Sequence, residues 1–263
     1  MSFLEDRLLY FPLRRLDAFP ADYGLRSEEL SPIASDGVRL HGWWVHGRGD
    51  RVLLLFHGNA GNVSHRLDRA KLFVESLGVD LFLVDYRGYG RSAGHPSEAG
   101  LYRDGLAIYD AAVERGFPAE RIVLFGESLG CAVAVEVALA LQGDRGTVRS
   151  PSGGPSGVAL ETPFLSVPAL AREHYPFVPR FLVRSRYDTA SKIARVVPPK
   201  LFVAAALDEI APVAHARRLF ELAKPPKELL VVPGAGHNET SLAGGEEYLS
   251  VWRRFLDAID SVS

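Results

Sequence analysis

A chain of 263 residues, 47% hydrophobic and 24% charged, has the size and composition of one large α/β domain with a substantial core. Its formal net charge of -2 gives nucleic acid no electrostatic reason to bind. A single cysteine, Cys131, excludes an internal disulfide framework and fits a reducing compartment, and no Cys-x-x-Cys or His-rich cluster suggests a metal site.

No apolar run of about 18 residues exists to span a membrane, and the N-terminus lacks the pattern of a secretory signal. Leu8, Leu9, Tyr10, Phe11 and Leu13 lie among Arg7, Arg14 and Arg15, with Pro12 interrupting any helix. This segment reads as one that packs onto the domain, with a peripheral membrane contact as the alternative. Glu28 to Ala34 and Val38 to His46 read as two strands joined at Ser35-Asp36-Gly37, since Asp-Gly between alternating apolar runs signals a hairpin. Arg51 to Phe56 is the first near-continuous apolar strand, ending in His57-Gly58-Asn59-Ala60-Gly61-Asn62, and a helix from Val63 to Leu77 follows. Val79 to Val84 is the next buried strand, leading through Asp85-Tyr86-Arg87-Gly88-Tyr89-Gly90 to a helix from Pro96 to Arg115.

Ile122 to Phe125 reads as a buried strand and Leu129 to Leu141 as a buried helix. From Gly143 to Gly157 the composition turns to Gly, Ser, Pro and Arg, a flexible surface insertion. Val158 to Thr162 and Leu201 to Leu207 are further strands, separated by a Pro-broken, lid-like stretch from Pro163 to Pro199. Pro212 opens a helix to Ala223, Glu228 to Val232 is the final strand, and Gly244 to Ile259 a closing helix. Strands alternating with helices imply a mainly parallel sheet, helices on both faces, with the early hairpin antiparallel at one edge.

Between the Ile122 strand and the Leu129 helix stands Gly126-Glu127-Ser128-Leu129-Gly130, a G-x-S-x-G pattern. Strand, sharp turn and helix make it a nucleophile elbow with Ser128 held above the sheet in a strained conformation. A serine hydroxyl needs a base, and of eight histidines His237 follows the last strand in a Gly-rich loop. His57, also at a strand end, is its nearest rival and is assigned to loop scaffolding. Asp208, at the end of the Leu201 strand, is the candidate acid; alone it would read as a helix cap before Pro212. Glu209 is expected to point elsewhere. The order Ser128, Asp208, His237 suits this topology. For a developing oxyanion the donors are the backbone N–H of Leu129 and that of Asn59, with Ala60 as fallback. Arg87, Tyr89 and Arg91 read mainly as scaffolding, Asp188 as an Arg or helix-end partner, and Cys131 as a small buried filler.

Phe56-His-Gly-Asn-Ala-Gly-Asn62, Asp85-Tyr-Arg-Gly-Tyr-Gly-Arg-Ser92, Gly126-Glu-Ser-Leu-Gly130 and Gly234-Ala-Gly-His-Asn238 together resemble the α/β-hydrolase superfamily. Within it the chain is similar to the small abhydrolase-domain-containing serine hydrolases, a group that includes protein depalmitoylases and bacterial relatives; Tyr175-Pro-Phe-Val and Arg186-Tyr-Asp188 belong to the resemblance. It implies the α/β-hydrolase fold and acyl transfer through Ser128, His237 and Asp208, without cofactor or metal. Such relatives often carry a membrane-anchoring segment ahead of the Leu8-Leu9-Tyr10-Phe11-Pro12 position; here the chain starts, leaving a cytoplasmic location with possible membrane association as the expectation. The lid-like stretch of about 37 residues is too short for a cap domain, so a shallow, open, apolar-lined cleft is expected. Small-molecule or acyl-protein esters and thioesters are the first substrate reading, amides or peptides the second, and a catalytically silent binding module the alternative of another class.

Overall fold

The computed structural model describes residues 7–142, 154–175, 177 and 183–260. Most of the Gly143 to Gly157 stretch, and Pro176, Pro179 and Phe181 of the lid-like stretch, lie outside the described residues.

In chain order the strands are β1 (Phe11–Pro12), β2 (Ser27–Leu30), β3 (His41–Val45), β4 (Val52–Phe56), β5 (Ala60–Gly61) and β6 (Asp80–Asp85), then β7 (Ile122–Glu127), β8 (Gly157–Glu161), β9 (Lys200–Ala205) and β10 (Lys227–Val232). The helices are α1 (Leu67–Leu77), α2 (Glu98–Glu114), α3 (Leu129–Gln142), α4 (Val167–His174), α5 (Val213–Leu222) and α6 (Thr240–Asp260). Among the described residues the main sheet has eight strands in the order β10-β9-β8-β7-β4-β6-β3-β2. From β10 to β6 every pairing is parallel, while β3 pairs antiparallel with both β6 and β2. The hairpin anticipated around Asp36-Gly37 is present, with Glu28 opposite Trp44 and a lone bridge from Ile33 to Arg39 near the turn. Pro32 interrupts it, because a proline has no N–H for the ladder.

Apolar continuity along β4 follows from burial on both faces. Val52, Leu54 and Phe56 enter one core with residues of α2, α3 and α5, whereas Leu53 and Leu55 enter the other with residues of α1 and α6. All five are fully buried. Trp252 of α6 meets the rings of Phe73, Phe125 and Phe255 in tilted and edge-on contacts on that second face.

Two helix starts differ from expectation for identifiable reasons. The helix after β4 is a 3-10 turn, Val63–Arg66, before α1 begins, with the Asn62 side chain capping Ser64 N–H. The closing helix starts at Thr240 rather than Gly244 and is broken at Gly245, whose φ of 48° is open to glycine. Pro12, read as a helix breaker, lies outside any helix, in a short parallel pairing of β1 with β5.

Gly130 shows why the elbow is so compact. A Cβ there would stand 1.8 Å from the Phe56 carbonyl oxygen, so only glycine lets α3 cross the end of β4. Gly130→Ala is therefore expected to cost about 3 kcal/mol or more, seen as a lower urea midpoint with an unchanged slope. A midpoint within error of wild type would show that α3 does not cross β4 this closely.

Candidate active site

β7, β8, β9 and β10 are neighbours and parallel, so the loops after them leave from one edge of the sheet. Ser128 follows β7, Asp208 follows β9 and His237 follows β10. Ser128 has φ of 51°, a left-handed conformation that costs a non-glycine residue about 1–2 kcal/mol. It is held there by its own N–H donating to the Glu161 carbonyl at 2.9 Å and by its carbonyl accepting from Cys131 N–H at 3.0 Å. The strain turns the side chain out of the strand and makes Leu129 the first residue of α3, with its N–H unclaimed by the helix ladder.

His237 and Asp208, 29 residues apart in sequence, are brought into direct contact: Nδ1 lies 2.8 Å from Oδ1 and 2.7 Å from Oδ2 of the carboxylate. Both side chains are buried. Asp208 Oδ1 also accepts the backbone N–H groups of Ile210 at 2.9 Å and Ala211 at 2.7 Å, which orient the carboxyl plane. With Nδ1–H committed to Asp208, Nε2 carries the lone pair of the neutral ring. Leu207 N–H donates to the Ala235 carbonyl at 2.9 Å, tying the two loops together. Glu209 does not point away: its Oε2 accepts the His237 backbone N–H at 3.4 Å.

The loop after β4 lies against the elbow, since a Cβ on Gly58 would sit 3.6 Å from Ser128 Cβ. His57 Nδ1 lies 2.7 Å from the Gly58 carbonyl oxygen, so the N–H across that planar peptide, on Asn59, faces the opposite way. Asn59 is pinned from several sides. Its carbonyl accepts Phe11 N–H at 2.9 Å and the Tyr89 hydroxyl at 2.8 Å, and its Nδ2 donates to the Leu9 carbonyl at 2.8 Å. Ala60 stands opposite Phe11 in the register, while the carbonyls of Asn59 and Gly61 accept the N–H groups of Phe11 and Leu13. The N-terminal segment thus braces the loop beside Ser128, a role not legible in its apolar composition.

Residues 47–191 match the sequence model of the family described as serine aminopeptidase, S33. An uncharacterized protein of Mycobacterium tuberculosis (strain H37Rv) is 36% identical over 257 residues, spanning 96% of this chain and 87% of its own. The chain belongs to the α/β-hydrolase superfamily. Alpha/beta hydrolase domain-containing protein WAV2 of Arabidopsis thaliana is 32% identical over 280 residues, covering 96% of this chain and 87% of that protein. A Pyrococcus furiosus esterase superposes with a TM-score of 0.74 at 20% identity, over 94% of this chain and 98% of its own, a likeness of fold.

In this α/β hydrolase the rival histidine serves the loop. His57 is fully buried against the rings of Tyr86 and Tyr89, at 4.4 and 5.1 Å between centroids, with Nε2 3.6 Å from Asp85 Oδ1. Burial drives its pKa down to about 3 and raises that of Asp85 to about 7. The two shifts act oppositely on stability. Below its ordinary 6.5 the unfolded His57 takes a proton that the folded one refuses, so its contribution falls as pH drops from 6.5 toward about 3. Folded Asp85 keeps a proton that the unfolded one loses between 3.8 and about 7, so its contribution falls as pH rises. His57→Gln should remove only the acid-side loss. Its unfolding free energy relative to wild type should climb toward about 1.4 kcal/mol per pH unit below about pH 6, measured by urea titration; parallel pH curves would show that His57 is not held neutral.

Arg87 bridges Asp36 of the hairpin turn, at 2.8 Å, to Asp104 of α2, also at 2.8 Å, a structural clamp that holds the Asp36 carboxyl down at about 2. Tyr89 braces Asn59, and Arg91 lies over the Phe19 ring at 5.6 Å. Asp188 caps its own turn through Ser191 N–H at 3.1 Å. Burial pushes the Cys131 thiol well above its usual pKa, so it stays a neutral filler. Tyr175 and Phe177 are exposed but Phe164 is buried, and a cavity of about 350 Å³ beside α4 is lined by Ser166, Pro168, Arg186 and Asp188.

Sequence reasoning missed a charged cluster beneath the elbow. Glu161, Arg69, Thr240 and Tyr248 join through hydrogen bonds of 2.5 to 3.1 Å, Arg66 donates to Glu127 at 2.7 Å, and an Arg69–Glu127 ion pair at 3.4 Å connects the two groups. Although burial opposes it, Arg66 and Arg69 hold the Glu127 carboxyl below its usual range. The only available signal was an acid closing each of two apolar strands, β7 and β8. Among the described residues no group of metal-binding side chains occurs, and no helix is long and apolar enough to cross a membrane.

Proposed function

We propose that this hydrolase cleaves carboxylic esters or thioesters through an acyl-enzyme on Ser128, with His237 as base and Asp208 as its orienting acid. The observation that carries the reading is the double contact of Asp208 with His237 Nδ1, on the sheet edge where Ser128 is held strained. His237 Nε2 takes the Ser128 proton as the hydroxyl attacks the carbonyl carbon, and returns it to the leaving alcohol or thiol. Water, deprotonated by the same ring, then attacks the acyl carbon and the serine leaves with its proton. The N–H groups of Leu129 and Asn59 are the donors to the oxyanion. Three features of the loop support Asn59: its place against Ser128, the direction of its N–H away from His57, and the clamp on its carbonyl and side chain.

The short lid-like segment and the esterase likeness of the fold support esters and thioesters, including acyl groups on larger partners. A second reading, aminoacyl amide hydrolysis, is favoured by the family description matched over residues 47–191. Matched p-nitrophenyl esters, acyl thioesters and aminoacyl amides across chain lengths, assayed side by side, separate the two. The proposal fails on substrate class if kcat/KM for the amides exceeds that for every ester and thioester.

A peripheral membrane contact through the N-terminal segment belongs to the same reading, because Leu8, Phe11 and Leu13 stay exposed beside Arg15. Co-sedimentation with anionic vesicles, weakened in a Leu8→Ser/Leu13→Ser variant, is the expected result. Equal recovery of both proteins in the supernatant would exclude it.

A further inference from the structure

We propose that Glu161 is a positioning residue that sets the His237 loop against the Ser128 elbow, acting through Thr240. The inference rests on the triad reading above and deepens it.

Glu161 ends β8, between the strand that carries Ser128 and the strand that carries Asp208. Its main chain and its side chain serve different parts of the site. The carbonyl oxygen accepts Ser128 N–H at 2.9 Å, and Cys131 Sγ lies 3.2 Å from the same oxygen. The carboxylate, 4% exposed, accepts Thr240 Oγ1–H at 2.5 Å and Arg69 Nη1–H at 2.7 Å on Oε1, and the Tyr248 hydroxyl at 2.7 Å on Oε2. The backbone next to it is strained as well: Thr162 has φ of 47° while its N–H donates to the Val203 carbonyl.

Thr240 is rigidly related to His237. Glu239 N–H donates to the Gly236 carbonyl at 3.1 Å and Glu239 Oε2 accepts Gly236 N–H at 3.0 Å, closing a tight turn around the histidine. Thr240, fully buried, opens α6 straight after that turn. Asp208 and Glu209 refer the His237 loop to the end of β9, whereas the Thr240–Glu161 bond refers it to the nucleophile's own neighbouring strand. A ring aligned only with Asp208 could still swing relative to Ser128, and a misplacement of about 1 Å can cost about 100-fold in rate.

A purely structural role would be poorly served by a carboxylate here. Buried ion pairs rarely stabilise more than apolar residues of similar size, and the burial of Glu161 with Arg69 carries a large desolvation cost. Directional hydrogen bonds to a fixed point are what the charge adds.

The test compares two bonds to the same carboxylate. Thr240→Val keeps shape and removes the hydroxyl ahead of the Gly245 break; Tyr248→Phe removes a hydroxyl beyond it. In the full-length protein Thr240→Val should lower kcat on a p-nitrophenyl ester about 10- to 100-fold with KM within about 2-fold. Its fluorophosphonate labelling rate should fall in proportion, and Thr240→Ser should restore both. Tyr248→Phe should lower the urea midpoint yet keep kcat within about 2-fold of wild type. The proposal is overturned if folded Thr240→Val turns over like wild type, or if Thr240→Ser fails to rescue. It is equally overturned if kcat falls alike in Tyr248→Phe, which would mark a general loss of rigidity. Were Thr240→Val not to fold, Thr240→Ala replaces it under the same criteria. Turnover retained in Ser128→Ala would instead refute the triad reading itself.

Discussion

Ser128→Ala is expected to abolish fluorophosphonate labelling and to lower kcat by about 10⁵- to 10⁶-fold, leaving the urea midpoint nearly unchanged. The size of the effect follows from the proposed mechanism, in which Ser128 Oγ forms the acyl bond. The small stability change follows from the backbone: an alanine accepts φ of 51° with about the same strain as serine, and the contacts of Ser128 N and O to Glu161 and Cys131 persist. Ser92→Ala is the matched control. Ser92 Oγ donates to the Asp85 carbonyl at 2.7 Å and accepts His41 N–H at 2.9 Å, buried beneath the neighbouring turn. That variant should lose stability and keep labelling. Labelling that survives in Ser128→Ala and disappears in Ser92→Ala would move the nucleophile out of the elbow altogether.

Asp208→Asn is expected to lower kcat by about 10⁴-fold without unfolding the protein. The hydrogen bonds specify the failure. Ile210 and Ala211 N–H groups converge on Oδ1, so an asparagine would place its carbonyl there and turn its NH₂ toward His237. An NH₂ can only donate. His237 Nδ1 would then be the acceptor, the proton would reside on Nε2, and the ring would be unable to take a proton from Ser128. Glu209→Gln, by contrast, changes only the partner of the His237 main chain at 3.4 Å and should cost less than about 10-fold. If the two variants lose activity equally, Asp208 is a loop cap and the acid must be sought elsewhere.

Much of this architecture was legible before any coordinates. The alternation of apolar runs with helical segments led to the parallel sheet, and Asp36-Gly37 between two such runs led to the antiparallel edge. Gly126 and Gly130 around Ser128 marked the elbow because no other residue clears the crossing backbone. The positions of Asp208 and His237 followed from strand ends. Their direct contact is a finding of the fold. Glu209 was misjudged because sequence adjacency says nothing about how a turn winds.

Less was readable where the partner is remote and the residue type common. The N-terminal segment looked like packing material, yet its Leu9 carbonyl and Phe11 N–H clamp Asn59 about fifty residues away. Glu161 was read only as part of the short Val158 to Thr162 strand, yet it meets Thr240, 79 residues further along.

By itself the amino-acid order determined the elements and the chemistry at their ends, because periodicity, glycine's freedom at positive φ and turn residues act within a few bonds. Only tertiary packing decided which charges meet, that His57 is sealed between two tyrosine rings while His237 meets Asp208, and which carboxylate braces the site. Those outcomes depend on burial and on distances across strands that neighbour in space alone, where desolvation makes a few hydrogen bonds decisive.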